Sequence, residues 1–219
     1  MKTMLRALFV TLTLLGSSRV FAQDWQTLFN GRDLAGWRAN NDAESFRVDN
    51  GLLRLQSTQT YRAHLFFVGL DPSHPVSFKN FELVAVARLE TNANGGIFFH
   101  TDMTTRDAFM HLAKGYEVEL NNTAIEPRKT GSLYAVVDLD SSPVDDTQWF
   151  TIRLLVVGKR IQVFLNDNKV VDYDEPEGLK RAPPRQQRLL SAQGGAIALQ
   201  AHDDKGVMYF REIRIRQLQ

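Results

Sequence analysis

Two acidic residues, Glu117 and Glu119, are separated by one position in the segment Gly-Tyr-Glu-Val-Glu-Leu at residues 115–120. Because successive side chains of a β-strand point to opposite faces, the two carboxylates are predicted on one face and the apolar residues on the other. Residues 196–202 have the same period and place Gln200 and His202 on a common face. A strand with two carboxylates and a strand with an amide and an imidazole indicate a functional site.

The elements that must position these residues are short strands that recur along the chain. Runs of β-forming residues are separated by turn-forming residues at a spacing typical of a sandwich or a barrel. Beyond the N terminus, no segment longer than about ten residues has a helical apolar stripe. The predicted strands are 46–48, 52–55, 65–68, 81–90, 96–100, 116–120, 133–137, 150–157, 161–165, 169–173, 197–201 and 207–216. No internal repeat or domain-sized linker is visible, and so one all-β domain is predicted.

The N terminus has the composition of an export signal. Two basic residues precede an apolar run at residues 7–15, and Val20 and Ala22 are small enough to suit a signal peptidase. The apolar run is shorter than the roughly 20 residues that cross a bilayer. We therefore predict a signal peptide at residues 1–22, a single domain at residues 23–219, no membrane span after processing, and a periplasmic or secreted product.

Composition and charge argue against a nucleic-acid partner. The chain has 26 basic and 25 acidic residues, and three of the basic ones lie within residues 1–22, so the mature domain carries a small negative charge. Nucleic acid is not a predicted partner, because phosphate binding requires a positive surface. The basic run at residues 180–188 contains two prolines and no aromatic residue, which is typical of a solvated loop. It lies within the longest predicted loop, residues 174–193.

Six segments resemble, in order, the signatures of the 3-keto-disaccharide hydrolase domain family. The first, WQTLFNGRDLAGW at residues 25–37, is similar to the opening LFNGKDLSGW of that family. Three more are NGGIFFH at residues 94–100, GYEVEL at 115–120 and IALQAH at 197–202, which resemble NSGIFFR, GYEVQI and IGLQDH. The last two are TGSLY at residues 130–134 and FLND with VVD at 164–172, which resemble TGALY and LNG with VVD. Together the six cover nearly all of residues 23–219.

The resemblance implies a fold and a reaction. The fold is a concanavalin A-like jelly roll, a sandwich of two curved antiparallel sheets with a groove on the concave one. The implied substrate is a small-molecule sugar, a glycoside already oxidised to a ketone at C3. The ketone acidifies the hydrogen on C2, so that a base can remove it, the group on C1 leaves by β-elimination, and water adds to the product. This route needs a base near C2, a donor at the C3 oxygen and an acid at the departing oxygen.

Four polar residues are candidates for the groups that this route needs. Glu117 is the leading candidate for the base or for a metal ligand, and His202 or His100 for the catalytic proton donor. Gln200 is expected to hold sugar hydroxyls. His100 is expected to face the groove together with Phe98, because one residue separates them. His100 stands where the family usually has arginine, so that a titrating group replaces a permanent charge.

Glu119 is predicted beside Glu117 as a substrate-binding residue, at a position where the family often has glutamine. Repulsion between the two carboxylates could raise the pKa of one of them, or a divalent cation could bind both. No other cofactor is predicted. Tyr134 is expected either to line the groove and bind substrate or to pack with its hydroxyl bonded locally. The remaining histidines lack a partner pattern and receive no role: His64, His74 and His111.

The sequence leaves other functions open. A carbohydrate-binding module of the same fold, without turnover, would favour exposed aromatic rings and scattered polar contacts. A glucanase acting on an unoxidised glycan would need a Glu-x-Asp-x-x-Glu type of carboxylate array, which the chain lacks. Serine, cysteine and P-loop chemistry are disfavoured, because the chain has no Gly-x-Ser-x-Gly elbow, no cysteine and no P-loop lysine. Convergence of Glu117, Gln200 and His202 on one groove would favour an enzyme over a binding module.

Overall fold

The structure, a computed structural model, describes residues 24–71 and 73–219. The predicted signal peptide at residues 1–22 lies outside these ranges. Within them, no helix is long and apolar enough to cross a membrane.

The described residues form thirteen β-strands and one 3₁₀ turn at Ala43–Ser45. The strands are β1 (Gln26–Phe29), β2 (Trp37–Ala39), β3 (Phe46–Asp49), β4 (Leu52–Leu55), β5 (Ala63–Phe67), β6 (Phe81–Leu89), β7 (Asn94–Thr101), β8 (Tyr116–Asn121), β9 (Phe150–Val157), β10 (Arg160–Leu165), β11 (Asn168–Asp174), β12 (Ala196–Ala201) and β13 (Met208–Gln217).

The strands pair into two antiparallel sheets. The larger sheet has the order β11-β10-β9-β6-β13-β4-β3, with β1 also paired to β13. The smaller sheet has the order β2-β5-β12-β7-β8. This arrangement confirms the predicted all-β sandwich of antiparallel sheets.

The main core lies between the two sheets. In β9, alternate residues from Phe150 to Val156 are buried and the intervening ones are partly exposed, as expected for a strand with one wet face. These buried residues belong to one apolar cluster with Leu65, Val118 and Leu199 of the smaller sheet. One face of the smaller sheet therefore packs against the larger sheet in this core.

The smaller sheet is nevertheless buried on both faces. Every residue of β5 and β8 is buried, although alternate side chains of a strand point away from the core. A second apolar cluster on that outer face contains Phe66, Phe98, Ala198 and Leu112, the last from the loop between β7 and β8. Loops therefore cover the outer face, and its polar groups lie in an enclosed space.

The structure corrects one predicted strand and adds two. Residues 133–137 form a tight turn closed by a bridge between Leu133 and Val137, with Ala135 at φ 59°. An apolar run this short has too few positions for its period to separate a strand from a turn. β1 lies within the opening signature and β2 begins at its last residue, Trp37, in a region where no strand was predicted. The other predicted strands are confirmed with small shifts at their ends.

Candidate active site

Four neighbouring strands, β5, β12, β7 and β8, align their outward side chains in three rows. In that strand order, the first row is Phe66, Ala198, Phe98 and Glu117. The second row is His64, Gln200, Gly96 and Glu119. The third row is Arg62, His202, Asn94 and Asn121, at or just beyond the ends of the same strands.

The rows form the floor of a pocket with a cavity volume of about 60 Å³. Five of the predicted site residues line it: Glu117, Glu119, Gln200, His202 and Tyr134. At the first row, Leu112 packs on Phe66 and Phe98 and closes the pocket. Beyond the third row, a second space shares Arg62 and His202 with the pocket, so the pocket opens in that direction.

Glu117 is buried in an ion pair with Arg188. The two side chains are 7% and 6% exposed, and Arg188 Nη2 lies 3.5 Å from Glu117 Oε2. Arg188 Nε also donates to Gly115 O at 2.8 Å, which fixes the guanidinium. Burial raises the pKa of the Glu117 carboxyl, and the charge of Arg188 opposes the rise. Glu117 is thus a carboxylate of increased basicity, held in place by a buried cation.

Arg188 also corrects the interpretation of the basic run at residues 180–188 as a solvated loop. The loop between β11 and β12 folds back so that Arg188 is buried, with its guanidinium 5.3 Å from the centre of the Phe98 ring. Burial of an arginine is stable only with a charged or hydrogen-bonding partner, and Glu117 and Gly115 supply both. The sequence of the loop does not identify a partner 71 positions away.

Glu119 is buried in the second row with 2% exposure. Burial raises the pKa of its carboxyl well above the ordinary value of 4.5, and the neighbouring charge of Glu117 raises it further. Glu119 is therefore a neutral carboxylic acid when Glu117 is ionised. In that form it can donate a hydrogen bond as well as accept one.

His202 is oriented by an acidic partner. Its Nδ1 lies 3.0 Å from Asp203 Oδ2, and Arg62 Nη2 donates to its Nε2 at 2.5 Å. The hydrogen bond to His202 lowers the pKa of Asp203, so a carboxylate faces Nδ1. The proton therefore sits on Nδ1, and Nε2 is the atom that can accept or return a proton in the pocket.

Gln200 is held by a histidine on the neighbouring strand, His64, to which the sequence assigned no role. Burial lowers the pKa of His64 to about 3, and so its ring is neutral. Gln200 Nε2 lies 3.0 Å from His64 Nε2, which therefore accepts from the amide. Gln200 keeps its amide oxygen and one N–H for the pocket. The cross-strand pairing of His64 with Gln200 follows from strand register, which the sequence alone does not specify.

His111 provides a second oriented imidazole in the same pocket. Its Nδ1 lies 2.9 and 2.8 Å from the two carboxylate oxygens of Asp107. Burial lowers its pKa and the hydrogen bond to Asp107 opposes the change. The spacing Asp-x-x-x-His at residues 107–111 is the signal that could have identified this pair.

Tyr134 lines the pocket beside Glu117. Its backbone N–H donates to Glu117 O at 3.0 Å, and its hydroxyl lies 3.5 Å from Glu126 Oε2. The guanidinium of Arg128 lies 4.8 Å from the ring centre. The structure thus places Tyr134 in the pocket wall and also gives its hydroxyl a local polar neighbour. These two features were predicted as alternatives.

His100 is the predicted catalytic residue that the structure places elsewhere. A register shift between Ala196 and Ala198 leaves an extra residue in β7, and His100 has φ 53°. A bulge of this kind breaks the alternation on which its placement beside Phe98 was based. Ser191 N–H donates to His100 Nδ1 at 3.0 Å, and His100 Nε2 lies 2.9 Å from Lys79 O. With both ring nitrogens bonded to the backbone, His100 joins loops outside the pocket.

The charges around Glu117 bear on the predicted divalent cation. A bridging cation would need both carboxylates ionised and free of other cations. Glu117 already faces Arg188, and Glu119 is neutral beside it. Across residues 24–71 and 73–219, no three histidine, aspartate or glutamate side chains form a group that could hold a metal ion. The ion pair with Arg188 therefore disfavours a cation that bridges Glu117 and Glu119.

Solved structures with the same fold include several carbohydrate-related proteins. A candidate glycosyl hydrolase from Parabacteroides distasonis has a TM-score of 0.71 and 19% identity, over 95% of this chain and 99% of that chain. Carbohydrate-binding module CBM66 from Bacillus subtilis has a TM-score of 0.56 and 13% identity, over 84% of this chain and 96% of its own. The GH16 endo-β-1,3(4)-glucanase SCLam has a TM-score of 0.55 and 14% identity, over 92% and 95%. These likenesses confirm the jelly-roll fold.

Sequence comparison places the chain in a family. No protein of curated function matches the sequence significantly. Residues 24–216 match the 3-keto-alpha-glucoside-1,2-lyase-like domain, and the match includes both sheets and all residues that line the pocket. The chain therefore belongs to the 3-keto-alpha-glucoside-1,2-lyase-like domain family.

Proposed function

We propose that this protein is a carbohydrate-active enzyme that cleaves 3-keto-glycosides by elimination followed by addition of water. The observation that carries the proposal is the burial of Glu117 and Arg188 as an ion pair that lines the pocket. A base of raised pKa next to a fixed cation suits removal of a proton that leaves an enolate. Family membership supports the substrate class.

In the first step, Glu117 removes the proton from C2. The electron pair of the C2–H bond moves to the C2–C3 bond, and the C3 oxygen becomes an enolate oxygen. We assign stabilisation of this charge to Arg188, the buried partner of Glu117, whose guanidinium is held by Gly115 O. Because the guanidinium is fixed before reaction, it stabilises the developing charge without reorganisation.

In the second step, the enolate returns its electron pair, a C1–C2 double bond forms, and the C1–O bond breaks. The departing oxygen takes a proton from Nε2 of His202, whose ring is oriented by Asp203. For this transfer Nε2 must carry a proton, and Arg62 must move from the 2.5 Å contact seen here. Gln200, supported by His64, is assigned to a sugar hydroxyl.

In the third step, water adds across the C1–C2 double bond. The oxygen adds to C1 and Glu117 returns its proton to C2, which gives the free 3-keto sugar. The proton released by the water passes through His111 and solvent to replace the one that His202 gave to the departing oxygen, and no oxidant or reductant is consumed. His111, oriented by Asp107, is the second imidazole of the pocket, and we assign it to activation of this water.

The proposal is tested by incubating the purified protein with 3-keto-trehalose and with unoxidised trehalose, while released sugar and enone absorbance are followed. Cleavage of 3-keto-trehalose without cleavage of unoxidised trehalose supports elimination. Cleavage of unoxidised trehalose would contradict it in favour of direct glycoside hydrolysis. Binding of either sugar without cleavage would favour the carbohydrate-binding alternative, to which the likeness to CBM66 gives structural support.

A further inference from the structure

The pocket continues beyond its third row into a wider groove. Arg62, Asn94, Glu126 and His202 line both spaces. The groove has a cavity volume of about 690 Å³, against about 60 Å³ for the pocket. Its further lining comes from residues 123–125 and from Asn92, Asp203 and Lys205.

An exposed apolar residue lies in the wall of this groove. Ile125 is 89% exposed and neighbours Ala124, which also lines the groove. Single exposed apolar residues are common on protein surfaces. Ile125 differs because it borders a concave space that is continuous with His202, the residue placed at the departing oxygen.

The loop that carries Ile125 is braced from within. Asn121 Nδ2 donates to Glu126 O at 3.0 Å and to Arg128 O at 2.6 Å. Lys129 Nζ donates to Thr123 O at 2.5 Å and to Glu126 O at 2.6 Å. Ile125 is therefore presented in a fixed position, which lowers the entropic cost of binding a ligand against it.

We propose that the groove binds the aglycone of the 3-keto-glycoside and favours aglycones with an aromatic or other apolar face. This inference rests on the proposed function. In the proposed reaction the sugar occupies the pocket, which Leu112 closes at the first row, and C1 faces His202 in the third row. The group released beside His202 then lies in the groove. Ile125 and Ala124 form the apolar part of the groove wall, and we expect the apolar face of the aglycone to pack against them.

The test uses two substrates of the same anomeric configuration, phenyl 3-keto-glucoside and methyl 3-keto-glucoside. Wild-type protein is compared with Ile125→Ser and with Leu70→Ser. Leu70 is a matched control, since it is 83% exposed and lines neither space. We expect Ile125→Ser to raise KM for the phenyl substrate about fivefold, as expected for lost apolar contact, with kcat retained. The KM for the methyl substrate is expected to stay unchanged, and Leu70→Ser to match wild type on both.

Two results overturn the inference in distinguishable ways. If wild type cleaves both substrates and Ile125→Ser leaves the phenyl KM unchanged, the groove does not hold the aglycone, while the proposed function stands. If wild type cleaves neither keto-glucoside, the proposed function fails and the aglycone site fails with it.

Discussion

The side chain of Glu117 lies across the backbone of Gly96 on the neighbouring strand. A Cβ atom built on Gly96 would come within 2.9 Å of Glu117 Cγ and Oε1 and within 2.8 Å of Val118 O. Separations this short do not occur between real Cβ atoms and their neighbours, so any larger residue must displace the carboxylate or the strand. Glycine in the second row therefore provides the space in which Glu117 reaches Arg188.

Substitution of Gly96 by alanine is expected to displace the Glu117 carboxylate. Because a misplacement of about 1 Å can reduce catalysis about 100-fold, kcat of Gly96→Ala on a 3-keto-glycoside should fall by about that factor. Gly158→Ala is the control, since a Cβ there meets no atom within 4 Å although φ is 60°. The control should lose about 1 kcal/mol of stability and retain kcat. Full kcat in folded Gly96→Ala would contradict the role of this contact.

Substitution of Glu117 by glutamine removes the proposed base and leaves Arg188 without a counter-charge. We expect kcat to fall by about 10²- to 10⁴-fold and the free energy of unfolding to fall by about 3 kcal/mol. Kinetics on 3-keto-trehalose and denaturant titration measure the two effects separately. If the folded variant keeps wild-type kcat, Glu117 is not the base.

The Glu119→Gln variant is expected to behave differently, because glutamine resembles the neutral acid that burial favours. In the wild type the pKa of Glu119 is raised in the folded state, so the folded protein retains a proton that the unfolded chain releases above its ordinary value of 4.5. The free energy of unfolding must therefore fall as pH rises from about 4.5 toward the raised pKa of the folded state. Glu119→Gln should lose that part of the pH dependence. Parallel stability curves for wild type and variant between pH 4 and pH 8 would contradict the assignment.

The orientation of His202 by Asp203 is tested with Asp203→Asn. Loss of the carboxylate removes the acceptor that keeps the proton on Nδ1, and so kcat should fall by about 100-fold while the fold is retained. Asp204→Asn is the neighbouring control, because its side chain is exposed. Equal activity of the two variants would show that Asp203 does not position His202.

Alternation along a strand predicted the face on which Glu117, Glu119 and Gln200 lie, because that period depends on local backbone geometry alone. It failed at His100, where a bulge and a positive φ interrupt the period. A bulge of this kind is fixed by pairing with β12, which the residues of β7 do not reveal.

Long-range pairing accounts for what the sequence did not predict about the site. Arg188 was assigned to a solvated loop and His64 to no role, yet Glu117 and Gln200 hold them in the buried site. Each contact joins segments that are distant in sequence, and strand register and loop folding decide which residues meet. The resemblance of short segments to a family predicted the fold correctly but carried no information about these partners.

A kinetic isotope effect shows whether the C2–H bond breaks during cleavage. The rate of cleavage of a 3-keto-glycoside is compared with that of the same compound carrying deuterium at C2, under single-turnover conditions so that product release does not mask the step. Elimination initiated by Glu117 predicts slower release of the aglycone from the deuterated compound. Equal rates, with the deuterium retained in the released sugar, would contradict the elimination mechanism and indicate direct attack at C1.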